Sequence, residues 1–185
     1  MKILSFMLTL LAIIGFSKSS PAQEAKQENG KILIAYYSVS GNTKEVAEKI
    51  QEYTGGDLFR IETVQVYPEK YKELTAQAKR EINDNYRPKL KDKVANIQEY
   101  DTIFVGSPNW WGTIAPAVSS FLADYDLQGK KVIPFITHGS GGVQNTIKDL
   151  TEQCKGCNVV EEGWVGFRSR TFGVSGWLKD LGYKK

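Results

Sequence analysis

The chain has 185 residues, of which 41% are hydrophobic and 24% charged, as expected for one globular domain with a sizeable core. This composition, with no Gly or Pro repeat, excludes a disordered chain, a collagen and a solenoid. The 24 Lys and Arg residues against 21 Asp and Glu leave a formal net charge of +3, which gives no reason to expect a nucleic-acid partner. Two cysteines are too few for a disulfide scaffold.

The N-terminal residues 1–22 have the layout of a signal peptide. Lys2 precedes an apolar run over 3–16, and small residues at the end of the segment suit cleavage before Gln23. Because a permanent membrane span needs about 20 apolar residues, we expect export to the periplasm, with no stable membrane insertion after cleavage. An uncleaved membrane anchor is the alternative. Residues 23–30 are polar and aperiodic, and predict a flexible lead.

The remaining residues, 31–185, alternate apolar runs with helical stripes. The predicted strands cover 31–37, 58–61, 102–106, 131–137 and 159–167. The predicted helices cover 42–53, 68–82, a segment from near Pro116, a segment with Val143, Ile147 and Leu150, and a closing segment at 174–181. Pro134 weakens the fourth strand, because a central strand would lose a ladder hydrogen bond there. Five strands alternating with five helices predict a three-layer α/β domain with a five-stranded parallel sheet.

The loop after the first strand is rich in hydroxyl groups and runs straight into a helix. Its sequence is Ser38-Val39-Ser40-Gly41-Asn42-Thr43. Hydroxyls and free backbone N–H groups at a helix N-terminus form an anion site that needs no lysine. The alternative is that Ser40 or Asn42 only caps the helix, while Gly41 serves the turn.

The loops after the third and fourth strands contain tryptophan and glycine. They read Ser107-Pro108-Asn109-Trp110-Trp111-Gly112-Thr113 and Thr137-His138-Gly139-Ser140-Gly141-Gly142. Two adjacent indoles cannot enter one core pocket, so at least one is expected beside a planar ligand or at the rim of its site. Ordinary packing over the sheet edge is the alternative. The glycines of the loop after the fourth strand allow the backbone to approach a ligand closely. The alternative is that they only form a turn into the next helix. His138 either contacts a polar ring edge or bonds backbone.

A strand order of 2-1-3-4-5 would bring these three loops to one edge of the sheet, where ligands of such sheets bind. A phosphate would lie on the first loop and a flat heterocycle between the other two. Other chemistries lack their motifs: no nucleotide-hydrolysing phosphate loop and no dinucleotide fingerprint is present. No arginine closely follows the cysteines, as a thiol phosphatase would need. The third strand ends in Gly106 and Ser107, without a phosphoacceptor aspartate, and a single histidine argues against a metal cluster.

These segments resemble flavodoxins, and most of all the bacterial flavodoxin-like proteins that share a Pro-x-Trp-Trp-Gly loop. The resemblance spans Lys31 to about Leu181. It implies a doubly wound flavodoxin-like sandwich that binds FMN without a covalent bond. It also implies that Ser38, Ser40, Asn42 and Thr43 hold the phosphate, that Trp110 or Trp111 stacks near the isoalloxazine, and that the 137–142 loop meets the pyrimidine edge. The predicted cofactor-binding residues are Ser38, Ser40, Gly41, Asn42, Thr43, Pro108, Asn109, Trp110, Trp111, Gly112, Thr137, His138, Gly139, Ser140 and Gly141.

The sequence departs from flavodoxins in three ways. The loop after the fourth strand lacks the tyrosine that many flavodoxins place over the second flavin face. Electron-transfer flavodoxins are usually strongly acidic, which steers basic partners, whereas this chain is close to neutral. Flavodoxins are also generally cytosolic, whereas we expect export here. The expected partner is a redox protein or a small-molecule electron acceptor.

Cys154 and Cys157 lie between the fourth helix and the last strand. In an oxidising compartment this spacing favours a small structural disulfide, with a redox-active dithiol as the alternative. The leading functional hypothesis is an exported electron carrier that works through reversible reduction of FMN. The alternatives are an FMN-dependent reductase that uses NAD(P)H or a quinol as donor, and a non-redox module that binds phosphate esters.

Overall fold

A computed structural model describes residues 30–185 of the chain. The predicted signal peptide, 1–22, and the lead up to residue 29 lie outside the described residues. Among residues 30–185, none of the helices combines the length and the hydropathy that a membrane crossing requires.

A largely parallel sheet forms the centre of the molecule. Its strands are β1 (Ile32–Tyr36), β2 (Asp57–Arg60), β3 (Thr102–Trp110), β4 (Thr113–Ile114), β5 (Lys131–His138), β6 (Asn158–Val159) and β7 (Trp164–Phe167). The strands run in the order β2-β1-β3-β5, and both β6 and β7 pair with β5. Since β6 and β7 are two parts of the predicted fifth strand, this is the predicted order 2-1-3-4-5. The short β4 pairs antiparallel with the end of β3.

Helices cover both faces of the sheet. They are α1 (Asn42–Thr54), α2 (Tyr71–Asn83), α3 (Pro116–Asp124), α4 (Thr146–Gln153) and α5 (Val174–Asp180). Ile50 of α1 and Leu178 of α5 pack in one hydrophobic cluster, and Phe121 of α3 and Leu150 of α4 pack in a second. All five residues of β1 are buried, as a strand covered on both faces requires. The three-layer flavodoxin-like architecture is confirmed.

The last strand is interrupted opposite Pro134. Val132 pairs with Val159 in β6, and Phe135 pairs with Trp164 in β7, so the interruption lies beside the proline. Pro134 has no N–H to donate to the ladder on that side, although Val105 of β3 still pairs with it. The predicted continuous strand over 159–167 is therefore wrong in one detail: the chain loops out at the position where the proline offers no donor.

Three other boundaries differ from the sequence prediction. β3 continues to Trp110, because it turns there into the hairpin with β4. α2 begins at Tyr71, three residues after the expected Pro68, and α4 begins at Thr146, so that Val143 precedes it. Residues at helix ends are held by tertiary contacts as much as by local pattern.

Cys154 and Cys157 form a disulfide, the alternative that the sequence favoured. Cys154 is the C-cap residue of α4 and is buried in the core. Because α4 runs back from the carboxyl edge of the sheet, the disulfide lies at the opposite edge.

Candidate functional site

A cleft of about 380 Å³ opens at the carboxyl edge of the sheet, where the three loops meet. All the predicted site residues except Gly41, Gly112, Ser140 and Gly141 line this cleft. The lining residues are Ser38, Val39, Ser40, Asn42, Thr43, Tyr71, Leu74, Thr75, Ala78, Pro108, Asn109, Trp110, Trp111, Thr137, His138 and Gly139. The strand order therefore brings together loops that are nearly 100 residues apart in the chain.

The first loop leads into α1 without a side-chain cap. Gly41 occupies the N-cap position in a left-handed conformation with φ 86°, and no side chain of residues 30–185 caps the helix there. The first backbone bond of α1 runs from the N–H of Glu45 to the carbonyl of Gly41 (3.0 Å), which leaves the preceding N–H groups available to a ligand. The structure thus excludes the alternative in which Ser40 or Asn42 serves only as an N-cap.

Two buried hydroxyl groups join the first loop to the third. Thr43 and Thr137 are 1% and 2% exposed, and their Oγ1 atoms are hydrogen bonded to each other at 2.9 Å. In the same first loop, Oγ of Ser38 is buried and has no hydrogen-bond partner among residues 30–185. An unsatisfied buried hydroxyl is costly, so Ser38 presents a polar atom that a ligand would satisfy.

Asn109 ties the second loop to the third. Its amide nitrogen donates to the carbonyl of Gly142 (2.7 Å) and to Oε1 of Gln144 (3.0 Å), while its Oδ1 accepts from the N–H of Gly112 (2.9 Å). The turn that follows places Trp111 at φ 55° and Gly112 at φ 92°. Positive φ is unusual for a bulky residue, so this hydrogen-bonded turn holds Trp111 in a conformation that it would not adopt alone.

Trp110 packs at the boundary between the cleft and the core. Its ring makes edge-to-face contacts with Tyr37 (5.5 Å between centroids) and Tyr67 (5.2 Å). Burial raises the pKa of both tyrosines well above the usual value, and for Tyr67 the hydrogen bond that its hydroxyl donates to the Glu81 carboxylate raises the pKa further. Both phenols are therefore neutral at physiological pH, and their rings pack against the Trp110 ring.

The side chain of Trp111, in contrast, packs against helix α2. It is 56% exposed, and its Nε1–H donates to the backbone carbonyl of Thr75 (2.9 Å). The ammonium group of Lys79 lies 4.7 Å from the centre of the Trp111 ring. Trp111 lines the cleft, whereas Lys79 does not.

The third loop brings His138 into the cleft. Nδ1 of His138 is buried without a hydrogen-bond partner within the described part of the chain. Its ring packs edge-to-face against Phe167 of β7, with 5.9 Å between centroids. Nδ1 of His138 therefore does not bond to the backbone, which was one of the two predicted roles of this residue. This nitrogen remains available for the polar edge of a ligand.

A wall of the cleft comes from α2, which the sequence analysis did not assign to the site. Tyr71, Leu74, Thr75 and Ala78 line the cleft. The spacing of Tyr71, Leu74 and Ala78 predicts a helix without showing what this stripe faces. Ala78 is buried and Leu74 packs against the core, whereas Tyr71 is 79% exposed, because the first turns of α2 stand at the carboxyl edge. An apolar stripe does not reveal whether a sheet or a cleft lies opposite it.

Arg60 was also missed, because it lies at the end of a strand and not in a glycine-rich loop. Its Nη2 donates to the backbone carbonyl of Ser38 (3.3 Å). Arg60 therefore supports the first loop from behind, while its Nε lies 3.7 Å from Oε1 of Glu62.

The chemistry of the cleft fits the FMN that the resemblance implies. The first loop offers free helix N–H groups and the unsatisfied Ser38 hydroxyl to a phosphate. His138 lines the cleft, and its buried Nδ1 has no hydrogen-bond partner among residues 30–185, so a polar ring edge would satisfy it. Trp111 and the apolar side chains of α2 provide a surface for a planar heterocycle.

Comparison with known proteins agrees with this geometry. The sequence profile of the flavodoxin family matches residues 31–181. A solved protein from Bacteroides eggerthii, provisionally classed as a flavoprotein, is 31% identical with a TM-score of 0.74, covering 84% of this chain and 100% of its own. A flavoprotein from Lactobacillus acidophilus, solved in complex with FMN, is 27% identical with a TM-score of 0.67, covering 80% of this chain and 98% of its own.

No protein with a curated description matches the chain at a significant level. The family match nevertheless covers nearly all of the described residues, and it confirms FMN as the expected cofactor at the level of the family. The order of the strands and the convergence of the three loops agree with the family match. The chain belongs to the flavodoxin family.

Proposed function

We propose that this chain is an exported electron carrier that works through reversible reduction of non-covalently bound FMN. The observation that carries the proposal is the meeting of unsatisfied donors with an aromatic wall in one cleft. The buried Ser38 hydroxyl and the first N–H groups of α1 lie in the first loop, and Trp111 lies in the second. A site built only for packing would not leave buried donors without partners.

The residues of the first loop would hold the phosphate. The N–H groups at the start of α1 carry the positive end of the helix dipole, which favours a dianion. Ser38, Ser40 and Thr43 add hydroxyl donors, and Arg60 supports the loop through its hydrogen bond to the Ser38 carbonyl. The hydrogen bond between Thr43 and Thr137 (2.9 Å) keeps the first and third loops in a fixed relation, so that phosphate and ring contacts are presented together.

The remaining residues would orient the ring and control access to it. FMN supplies the redox chemistry when bound, because its ring system accepts and returns one or two electrons. Trp111 and α2 exclude water from one side of the cleft, and His138 presents Nδ1 to a polar edge. Gly139 and Ser140 are exposed and add no aromatic cover, which leaves the third-loop side accessible to an electron partner.

The visible spectrum of the purified protein tests this function. Protein isolated from the cell envelope is expected to be yellow, to release FMN on denaturation, and to rebind it in a fluorescence titration. Reduction and reoxidation of the bound flavin should be reversible over repeated cycles. A colourless protein that binds simple phosphate esters as tightly as FMN would contradict the proposal and favour the non-redox binding module.

One observation favours a second function, that of an FMN-dependent reductase. Tyr71, Leu74 and Ala78 of α2 extend the apolar lining beyond the three loops, which suits a flat apolar acceptor such as a quinone. Steady oxidation of NAD(P)H or a quinol with a quinone acceptor, in the absence of any carrier protein, would favour this function. Slow turnover under those conditions, with rapid exchange to a carrier protein, would favour the electron carrier.

Export is part of the proposal because of the signal-peptide layout of residues 1–22. Intact-mass measurement of protein from the cell envelope is expected to find a chain that begins at Gln23. Soluble cytoplasmic protein that retains Met1 would contradict export without affecting the assignment of the cofactor.

A further inference from the structure

The loop between β7 and α5 adjoins the cofactor cleft. Arg168 donates its backbone N–H to the carbonyl of His138 (2.8 Å), and His138 lines the cleft. The ring of Phe167 packs against the His138 ring (5.9 Å between centroids). The loop residues Arg168, Arg170 and Phe172, here called the arginine surface, therefore lie beside the third loop.

The arginine surface carries positive charge that the protein does not neutralise. The guanidinium carbons of Arg168 and Arg170 lie 5.1 and 5.4 Å from the centre of the Phe167 ring, and both residues are exposed. Within residues 30–185, neither arginine forms an ion pair with a carboxylate. The sequence from 163 to 179 contains no acidic residue. Two arginines held on one ring thus present an unpaired positive charge next to the cleft.

Phe172 adds an apolar contact at the same place. Its side chain is 96% exposed, and none of the three arginine-surface residues lines the cofactor cleft. Small ligands bind in concave sites, whereas exposed aromatic residues and arginines are the usual centres of protein interfaces. The observations therefore favour a protein over a dinucleotide as the occupant.

Arg168 also has a backbone conformation that is costly for an arginine. Its φ is 52°, in the left-handed region that bulky side chains rarely adopt. The hydrogen bond to His138 holds it there. The position of the first arginine is thus determined by the third loop of the cofactor site.

We propose that the arginine surface is the docking site for an electron-transfer protein with an acidic surface. This inference rests on the proposed electron-carrier function and names its partner class. Complementary charge would steer the acidic partner toward the third-loop side of the cleft, and Phe172 would be covered in the complex. The charge of this docking surface is opposite in sign to that of acidic flavodoxins, which steer basic partners.

A binding measurement with a strongly acidic plant-type [2Fe–2S] ferredoxin tests the proposal, with a basic mitochondrial cytochrome c as the control protein. Titration calorimetry uses the chain from the cell envelope, with FMN bound and after its removal. Ferredoxin is expected to bind both forms, and to bind about tenfold more weakly when salt is raised from about 20 mM to about 300 mM. Cytochrome c should bind at least about tenfold more weakly than ferredoxin at low salt.

Variants locate the contact. Arg168→Gln with Arg170→Gln is expected to weaken ferredoxin binding about tenfold or more, and Phe172→Ser about threefold or more. The matched control is Lys155→Gln with Lys184→Gln, which removes two exposed positive charges at the opposite edge of the sheet and should change the affinity by less than about twofold. FMN affinity should be the same in all variants, which shows that the cofactor site is intact.

The outcomes separate this proposal from the proposed function. A protein that binds no FMN contradicts the electron carrier. A protein that binds FMN but binds ferredoxin no better than cytochrome c, or equally well in the arginine variant and the control variant, overturns the docking surface alone. An arginine variant that loses affinity for NADPH but not for ferredoxin also overturns it, and assigns the arginines to a dinucleotide.

Discussion

Replacing Trp111 by alanine separates its role at the cleft from its role in stability. The substitution removes the hydrogen bond to Thr75, worth about 1 kcal/mol, and the contact with the Lys79 ammonium, worth about 0.5–1 kcal/mol at an exposed site. Because the ring is 56% exposed, it buries less surface than a core tryptophan does. We therefore expect these two contacts together to contribute about 1–2 kcal/mol to the free energy of unfolding.

The effect of Trp111→Ala on FMN binding should be out of proportion to this small loss of stability. Trp111 lines the cleft, and stacking on an aromatic ring is worth about 0.5–1.5 kcal/mol beyond burial. The dissociation constant of FMN should therefore rise about twofold to tenfold. Trp111→Phe keeps a ring face and should restore most of the affinity.

Trp110→Ala is the matched comparison. Trp110 is half-buried against Tyr37 and Tyr67, so its loss should cost about 2–4 kcal/mol of unfolding free energy. Urea unfolding and quenching of FMN fluorescence measure the two effects for each variant. If Trp110→Ala raises the FMN dissociation constant and Trp111→Ala does not, Trp110 is the stacking residue and the assignment of that role to Trp111 is wrong.

Three further outcomes can be measured on the same protein. Thr43→Val removes a hydroxyl from the first loop and should weaken FMN binding roughly tenfold to a hundredfold, because a hydrogen bond to a charged group is worth about 1.5–3 kcal/mol; unchanged affinity in a fluorescence titration would move the phosphate elsewhere. Cys154→Ser with Cys157→Ser opens a short loop and should lower the free energy of unfolding by only about 2 kcal/mol, measured in urea without reductant; complete unfolding would show that the disulfide holds far more of the structure. The pKa of Tyr67 is raised in the folded state by burial and by its hydrogen bond to Glu81, so its contribution is complete below the unfolded pKa of about 10 and is lost above it. Tyr67→Phe should therefore reduce the loss of stability above pH 10 by about 1.4 kcal/mol per pH unit, and an identical pH profile in wild type and variant would contradict this.

Local pattern was enough to predict the first four parallel strands, the three loops and the family, but not the short β4 or the division of the last strand. The continuous apolar run of β1 and the hydroxyl-rich loop that follows it are properties of neighbouring residues, and they indicate a buried parallel strand that leads into an anion site. The order of the sheet followed from the alternation of strands and helices together with the resemblance. The sequence predicted that Pro134 weakens its own strand, but that strand is continuous, and the missing N–H instead coincides with the break in the neighbouring last strand.

Tertiary structure decided which side chains share the cleft and what each can do there. Tyr71 belongs to an apolar stripe that looks like a core face in sequence, and only the position of α2 at the carboxyl edge directs it to the cleft. Trp110 and Trp111 are adjacent and chemically identical in sequence. The structure distinguishes them, because the former packs on two tyrosines and the latter is held on α2 by a left-handed turn. The pairing of Thr43 with Thr137 and the place of the arginine surface beside His138 depend on strand order, a non-local property that the spacing of residues along the chain does not contain.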